Sequence, residues 1–269
     1  IDEFDPDALD RRAAGIEEEL SVSRVPGEPP PSSAVLERGA DALGWRSQEF
    51  PRVFKYDDKG RGTKQTMART LLPRATAAGA TILPNCRVTR IVGRAPHAQG
   101  ACAIVDHPDG HREQVLIRAE HVFVCGGAVH SPALLQRSGI RRRIGRGLKL
   151  HPPIKIAARF PDPLDHDDVP MHRITEFAPY LTIGGSASRR GHVAMALAEA
   201  AAPFDDALAH WDTVSVYYAA IRSEGSGAVV ALPGMASPLV TYRLTPADFS
   251  RLARGLVHLG EALLAAGAT

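Results

Sequence analysis

The sequence shows little charge imbalance, few cysteines and no long apolar run. Each of these absences argues against some classes of partner or site. Lys and Arg together number 32 against 30 Asp and Glu, so the formal net charge of +2 gives no reason to expect nucleic acid or an anionic membrane as a partner. No apolar stretch approaches the roughly 20 residues needed to cross a bilayer. We also expect no charged and then apolar leader before Ile1. We therefore expect a soluble, cytoplasmic, globular protein.

Cysteine and histidine spacing excludes a disulfide framework and a metal centre. Cys86, Cys102 and Cys125 lie in apolar, strand-like segments without CxxC or His/Cys ligand spacing, so buried, reduced thiols are expected. His107 and His111 flank an Asp-Gly turn that would splay them apart, and no third ligand lies at suitable spacing. We expect no metal.

Motifs for hydrolysis and for nucleic-acid binding are also missing. The sequence contains no GxSxG, and His130 and Ser131 belong to a predicted helix start. The basic run 137–149 could meet a phosphate group or RNA, but it has no interleaved aromatic residues to stack bases, and a solvated loop is favoured. An acidic stretch around His166 favours a solvated turn, with attraction of a cationic substrate as the alternative; its members are Asp162, Asp165, Asp167 and Asp168.

Helix patterns occupy both ends of the chain. A stiff, proline-rich connector covers residues 25–33, and 50–65 is typical of a loop. Helices are predicted over 7–20, 34–43 and 67–79, the last with Pro73 as a kink or early stop.

The clearest helix pattern begins at Pro246. Thr245 is the predicted N-cap, and Asp248 can complete a capping box. Apolar residues recur three or four positions apart and form the predicted core face; they are Phe249, Leu252, Leu256, Leu259 and Leu263.

Strand patterns begin at residue 80. The runs ATILPN, RVTRIVGR and HVFVC are predicted strands, and ACAIVDHPDGHREQVLIRA is a predicted hairpin. Past 151, turn residues rich in Gly, Pro and Asp separate short apolar runs, which favours an antiparallel sheet. Those predicted strands are IKIAARF, PYLTIGG, HVAMALAEA, TVSVYYAAI, AVVALPG and LVTYRL.

The stretch HVFVCGGAVHSPALLQRSGI at 121–140 combines a strand, a Gly pair and a helix for which Ser131 and Pro132 supply the N-cap and first position. A strand that ends in Gly-Gly before a helix leaves backbone N–H groups free and directs partial positive charge outward, which suits a phosphate or a flavin. A tight turn without a ligand is the alternative.

These residues resemble the second signature of the glucose-methanol-choline (GMC) oxidoreductases. The matching positions are Gly127-Ala128, Ser131-Pro132, Leu134-Leu135 and Ser138-Gly139-Ile140. The segments LLPRATAAGATILPNCRVTRI and IGRGLKLHP, the latter with His151, also resemble blocks of that family. The resemblance runs from about residue 15 to the end of the chain.

The resemblance implies an FAD-binding site and places some of its residues. Val88 matches the residue whose backbone meets the flavin adenine, and Cys125, Gly126, Gly127 and Ala128 match the strand end that lies against the cofactor. We expect the bare main chain there to admit FAD.

Two parts of the family pattern are absent between Ile1 and Thr269. The GxGxxG fingerprint that holds the FAD pyrophosphate does not occur, and the family's catalytic histidine with its His or Asn partner would follow Thr269. No catalytic residue is therefore assigned. Because the chain also begins with Ile1 rather than Met, we expect a fragment or a processed product.

The expected fold is a portion of an α/β flavin domain plus an α+β substrate domain with a mostly antiparallel sheet. Residues 1–60 would be a connecting, substrate-side segment, 61–151 part of the FAD-binding domain and 152–269 the substrate-binding domain. The implied reaction is oxidation of an alcohol to a carbonyl with hydride passing to flavin N5. The implied partner is a small alcohol, a sugar or aminoglycoside hydroxyl being suggested by similarity to actinobacterial members. The alternative is a flavin-free sugar-binding module.

Overall fold

The structure, a computed structural model, describes residues 5–94, 97–164, 171–199 and 205–269. Its helices are α1 (Pro6–Glu19), α2 (Pro31–Leu43), α3 (Leu71–Ala77), α4 (Gly127–Arg137), α5 (Arg190–Glu199), α6 (Asp205–Ala209) and α7 (Pro246–Ala265). Its strands are β1 (Val22–Ser23), β2 (Ser47–Glu49), β3 (Arg52–Tyr56), β4 (Gly62–Lys64), β5 (Cys86–Arg94), β6 (His97–Asp106), β7 (Arg112–Arg118), β8 (Arg146–Leu148), β9 (Pro153–Arg159), β10 (His172–Ile174), β11 (Leu181–Gly185), β12 (Val214–Ile221), β13 (Ser226–Val230) and β14 (Leu239–Arg243).

The chain divides into two compact units, each assembled from separate stretches of sequence. The larger unit comprises Ile1–Ala80, His151–Arg222 and Phe249–Thr269, and the smaller comprises Thr81–Leu150 and Ser223–Asp248. The functional division predicted at residues 60 and 151 therefore differs from the structural one: residues 61–80 belong to the larger unit and 223–248 to the smaller. Among the described strands every pairing is antiparallel, and the mixed helical and antiparallel architecture agrees with the predicted fold class.

The larger unit is organised around a sheet of order β2-β10-β11-β12-β9. Alternate strand residues on one face of this sheet pack against α2 and α7. Tyr217 is fully buried on that face, and its hydroxyl donates to the carbonyl of Ser32 at 2.9 Å. Burial raises the pKa of Tyr217. On the opposite face of the sheet, Val214 and Val216 pack with Val193 and Leu197 of α5. A small sheet of order β1-β3-β4 belongs to the same unit.

The smaller unit contains a meander of order β5-β6-β7 and a sheet of order β14-β13-β8. The predicted hairpin is confirmed as β6 and β7, which pair from Gly100↔Arg118 to Asp106↔Arg112. Helix α4 contributes Ala133 to a core with Leu148 and Val229.

The predicted capping box at the last helix is confirmed. The backbone N–H of Asp248 donates to Oγ1 of Thr245 at 3.1 Å, and the N–H of Thr245 donates to the Asp248 carboxylate at 2.9 Å. The predicted core face of α7 is only partly right. Leu259 and Leu263 are buried, whereas Phe249 is 61% exposed and Leu256 is 46% exposed.

Two segments of the larger unit were assigned to the wrong class. Residues 50–65 form β3 and β4, because the Asp57 carboxylate accepts from the N–H groups of Lys59 and Arg61 at 3.0 and 2.9 Å and closes a turn. The run HVAMALAEA lies in helix α5 as far as Glu199 and is not a strand. Its Ala, Met and Leu residues favour a helix, and Val193 and Leu197, four residues apart, share its buried side.

Other predicted elements begin at different residues in the structure or do not form. Helix α2 begins at Pro31, three residues before the predicted start, and ATILPN is not a strand. Helix α3 begins at Leu71, so Pro73 lies in its first turn, where a missing N–H leaves no helical bond unmade.

Cys125 is exposed, and Cys86 and Cys102 are partly buried, so the expectation of buried thiols is wrong for Cys125. His107 and His111 are stacked, with ring centroids 5.5 Å apart, rather than splayed. The acidic stretch around His166 lies outside the described residues, apart from Asp162, which is exposed. In the part of the chain that the structure describes, no helix combines the length and apolar character that a bilayer crossing needs.

Candidate functional site

The predicted site residues lie in the smaller unit, on strand β5 and on the segment that leads into α4. Val88 is in β5, which is the edge strand of its sheet. The register with β6 shifts between Val88 and Arg90, so Thr89 is an extra residue at a β-bulge, and its hydroxyl donates to the carbonyl of Cys102 at 3.1 Å. Bulges interrupt the ladder and occur frequently beside binding sites. The backbone near Val88 is therefore open on the outer edge of the sheet.

The segment HVFVC at 121–125 is extended but is not a strand, contrary to the prediction. Its burial alternates as in a strand, with Val122 and Val124 partly buried and Phe123 89% exposed. A strand is defined by hydrogen bonds to a neighbour, and no pairing of this segment occurs among the described residues. The predicted strand is therefore wrong, because a backbone partner for this segment is missing among the described residues.

The two glycines after this segment have different roles. A Cβ on Gly126 would lie 3.1 Å from the backbone nitrogen of Ser131 and 3.3 Å from Cβ of His130, so the first turn of α4 leaves little room for a side chain. Gly127 has φ +71, and a Cβ there would meet nothing within 4 Å. Glycine at 127 is thus required by backbone conformation, and the space beside it is open.

Helix α4 begins at Gly127, earlier than predicted, and Ser131 is not its N-cap. Pro132 lies inside the helix, and Gly126 at the N-cap provides no side-chain hydrogen bond to the first turn. A helix start without a capping side chain presents backbone N–H donors and partial positive charge. Gly127 and Ala128 form this start.

Two polar residues after Pro132, Gln136 and Ser138, hold the helix against its surroundings. Oγ of Ser138 accepts from the N–H of Ile91 at 2.8 Å and donates to the carbonyl of Leu134 at 2.7 Å, which ties the end of α4 to the edge of β5. The side chain of Gln136 donates to the carbonyl of Val229 at 2.8 Å and accepts from the N–H of Ala231 at 2.7 Å. Helix α4 is therefore hydrogen-bonded to both sheets of the smaller unit.

A cavity of about 450 Å³ lies along these elements. Of the predicted site residues, Val88, Cys125 and Gly126 line it together; Gly127 and Ala128 follow directly in the chain but are not among its lining residues. A neighbouring cavity of about 390 Å³ shares Val88 and Arg137 with it. The walls near the predicted residues thus form an open, continuous depression rather than packed core.

The lining also includes three ionisable side chains that were not among the predicted site residues: Arg87, His130 and Arg137. Arg137 donates to the carbonyls of Met235 and Ala236 at 3.2 and 2.7 Å, so this member of the basic run is bound to a loop rather than only solvated. Lys149 likewise donates to the carbonyls of Glu224 and Gly225 at 2.9 and 2.8 Å. The adjacency of Arg87 to Val88 in the sequence was the available signal for the first of the three.

These residues fit part of a flavin nucleotide. Apolar side chains of Val88, Val122 and Val124 suit the face of an aromatic base, and two arginines place positive charge where a phosphate is favourable. The start of α4, which has no capping side chain, adds backbone N–H donors that also favour a phosphate.

Comparison with known proteins supports the resemblance. A family model described as GMC oxidoreductase matches residues 1–153. A GMC-type oxidoreductase of Sinorhizobium fredii is 37% identical over 100% of this chain and 55% of its own length. A long-chain-alcohol oxidase of Arabidopsis thaliana is 26% identical over 77% of this chain and 30% of its own length. The chain spans about half the length of the first of these relatives.

Solved structures show the same fold. Pyridoxine 4-oxidase from Mesorbium loti is similar with a TM-score of 0.59 at 20% identity, covering 89% of this chain and 52% of that one. An FAD-dependent oxidoreductase from Chaetomium thermophilum has a TM-score of 0.61 at 15% identity, covering 91% of this chain and 57% of that one. At these identities the likeness concerns the fold alone.

Proposed function

Because the chain belongs to the GMC oxidoreductase family, we propose that it is part of a flavoenzyme that oxidises an alcohol, and that the cavity beside Val88 receives the adenine nucleotide of FAD. The observation that carries this is the convergence of Val88, Cys125 and Gly126 on one cavity with Arg87 and Arg137 at its border. The expected cofactor, FAD, agrees with the family and with the FAD-dependent neighbour from Chaetomium thermophilum.

The residues of this chain bind and orient the nucleotide. The bulged backbone around Val88 offers hydrogen-bonding groups to the edge of the adenine ring, and the valines at 122 and 124 exclude water from its face. Arg87 and Arg137 neutralise phosphate charge. Bound FAD supplies the hydride acceptor for oxidation of a CH–OH group.

The proposal also includes the substrate-binding part of the chain and the class of substrate. Residues 152–269 are proposed as the substrate-binding part, with a primary or secondary hydroxyl of a sugar or aminoglycoside as substrate, on the sequence resemblance alone. The relatives described as long-chain-alcohol oxidases support an alcohol in general. The alternative of a flavin-free sugar-binding module is not favoured, because the matched relatives are oxidoreductases.

A titration of the purified chain with FAD, followed by flavin fluorescence, tests the cavity. We expect saturable binding that ADP displaces and FMN does not, since the adenine half occupies the site. Cys125→Trp, which fills the cavity from an exposed lining residue, should weaken binding by about tenfold or more through steric exclusion.

Leu116→Trp on β7 is the matched control, because Leu116 is 55% exposed in the same unit and does not line the cavity; its FAD affinity should equal that of the parent chain. Displacement by FMN alone, or full affinity in Cys125→Trp, would contradict the placement. Gly127→Val is a poorer test, because φ +71 at Gly127 makes any side chain strain the backbone. Because no catalytic residue is assigned in this chain, equilibrium binding of a panel of alcohols, sugars and aminoglycosides to the FAD-loaded chain, rather than turnover, then reports the substrate class.

A further inference from the structure

Helix α7 has a second row of apolar and small residues beside its buried face. From Phe249 onward the helix belongs to the larger unit. At about 100° per residue the row occupies about 100° of the helix circumference, and it extends for about 22 Å along the axis. We call this row the α7 stripe; its members are Phe249, Ala253, Leu256, Val257, Gly260 and Leu264.

The large side chains of the α7 stripe are exposed from one end to the other. Phe249 and Leu264, near its ends, are 61% and 69% exposed, and Leu256 and Val257, at its middle, are 46% and 57% exposed. Single apolar residues are ordinary on a protein surface, whereas a contiguous apolar patch indicates an interaction surface. The α7 stripe is contiguous, because its members are three or four residues apart or adjacent on the helix.

Gly260 indicates that another backbone approaches the α7 stripe closely. A Cβ there would meet nothing within 4 Å, and the backbone at Gly260 is helical, so neither packing within the chain nor conformation requires a glycine. Gly255 of the same helix differs, because its Cβ would lie 3.0 Å from Cδ1 of Leu181. Glycine is unfavourable inside a helix. A second helix packed over Gly260 would account for it, since small residues allow helix axes to come close.

The residues of the α7 stripe are arranged so that the stripe is complementary to itself. Suppose that α7 of a second copy lies antiparallel, related by a two-fold axis at the midpoint between Leu256 and Val257. Every member of the stripe then faces a member of similar size on the other copy. The facing pairs are Phe249 with Leu264, Ala253 with Gly260 and Leu256 with Val257. Such a self-complementary patch is what a two-fold symmetric dimer requires.

Charge supports the same arrangement. Arg254 and Glu261 lie on one flank of the α7 stripe; Arg254 is exposed, and the Glu261 side chain is 49% exposed. In the antiparallel pair, Arg254 of one copy and Glu261 of the other lie on the same flank, about 3 Å apart along the axis. The two-fold axis makes this pair of opposite charges occur twice. A parallel pair of helices would place the two residues on opposite flanks.

From these observations we propose that the α7 stripe is a dimerisation surface on which α7 of a second copy of this chain packs antiparallel. An interface confined to one pair of helices is at the small end of specific interfaces, so the dissociation constant is in the micromolar range. The inference does not depend on flavin binding.

Sedimentation velocity of the purified chain between about 1 and about 300 µM tests the dimer. We expect a reversible shift from monomer to dimer over this range. Val257→Glu should weaken dimerisation at least about tenfold, because it buries a charge beside the two-fold axis. Leu9→Glu, at a residue of α1 that is 56% exposed, is the matched control and should dimerise like the parent chain. A parent chain that stays monomeric, or unchanged dimerisation in Val257→Glu, would overturn the proposal.

A charge exchange tests the antiparallel arrangement. Arg254→Glu should weaken dimerisation by about tenfold, because it places like charges opposite each other twice. Adding Glu261→Arg to that variant should restore the dimer, because each pair is again of opposite charge. Lack of restoration would overturn the arrangement. Circular dichroism at low concentration reports whether each variant is folded, and the dilution series of the parent chain requires no variant.

Discussion

At the scale of single residues, Asp248 shows how a buried charge is stabilised without a salt bridge. Its carboxylate is buried and accepts from the N–H groups of Thr245, Glu224 and Gly225 at 2.8 to 2.9 Å and from the Ser223 hydroxyl at 3.0 Å. Burial alone would raise the pKa of Asp248, but these donors outweigh it and hold the pKa well below its usual value. The ionised form is thus favoured by folding.

A lowered folded pKa gives a defined dependence on pH. The stabilisation from Asp248 is fully present above the usual aspartate pKa of about 3.9 and is lost as pH falls from there toward the folded pKa. We expect Asp248→Asn to lower the thermal unfolding midpoint at neutral pH, because the amide cannot accept all four hydrogen bonds. The gap between variant and parent should narrow as pH falls below about 4.

Thermal unfolding followed by circular dichroism at a series of pH values makes this comparison. Asp41→Asn on the exposed side of α2 is the control and should change the midpoint little at any pH. A constant gap between Asp248→Asn and the parent over the acid range would show that the carboxylate charge is not the source of the stability.

At the scale of secondary structure, the close approach of α2 and α7 depends on one missing side chain. A Cβ on Gly39 would lie 2.2 Å from the carbonyl oxygen of Ala262. Around this crossing, Leu36 and Ala40 of α2 pack with Leu259 and Leu263 of α7. The helices therefore cannot keep this contact if residue 39 gains even a methyl group.

Gly39→Ala should destabilise the protein by about 1–3 kcal/mol through overpacking, although alanine is the better helix former. Gly15→Ala is the matched control, since Gly15 is inside α1 and a Cβ there meets nothing within 4 Å. That variant should stabilise by about 0.5–1 kcal/mol or leave stability unchanged if α1 frays. Urea unfolding measures both, and a neutral Gly39→Ala would refute the tight crossing.

Local chemistry explains which elements the sequence could predict. The box of Thr245 and Asp248 marks the start of α7 because its bonds are made within four residues. The face of α7 was harder to predict. Phe249 and Leu256 satisfy the apolar spacing, yet the buried side includes Gly255, whose missing side chain admits Leu181. Which side of α7 is buried depends on contacts with the sheet beneath the helix. The apolar periodicity of the sequence carries no information about those contacts.

The candidate site was predictable where a motif had a local cause. The Gly pair and the helix that follows it were identified, the predicted strand at 121–125 was wrong, and Val88, Cys125 and Gly126 do line one cavity. Arg87 was not identified although it is the neighbour of Val88, and the place of Arg137 at the border depends on the loop at 235–236, which is distant in sequence. That FAD occupies this cavity stays a prediction.

At the scale of the whole molecule, each unit depends on late segments of the chain. The core of the larger unit includes Leu259 and Leu263, and that of the smaller includes Val229. By contrast, α1 contributes no buried residue. Core residues carry most of the stability of a domain, so the two ends of the chain differ in importance.

Ending the chain at Arg222 should abolish cooperative thermal unfolding, because both units lose apolar core and the remaining surface is exposed. Removing the chain up to Glu19 should leave a cooperative transition within a few degrees of the parent, since α1 contributes no buried side chain. Circular dichroism melts of both truncations make the comparison. A cooperative melt of the chain that ends at Arg222 would contradict the assembly described for the units.

The interleaved segments also set an order of events during synthesis on the ribosome. The smaller unit can close once Asp248 has left the exit tunnel, whereas the larger one must wait for α7, although its first helices and strands precede every residue of the smaller unit. We therefore expect its apolar sheet surface to stay uncovered until α7 is made, an interval in which holding chaperones can bind.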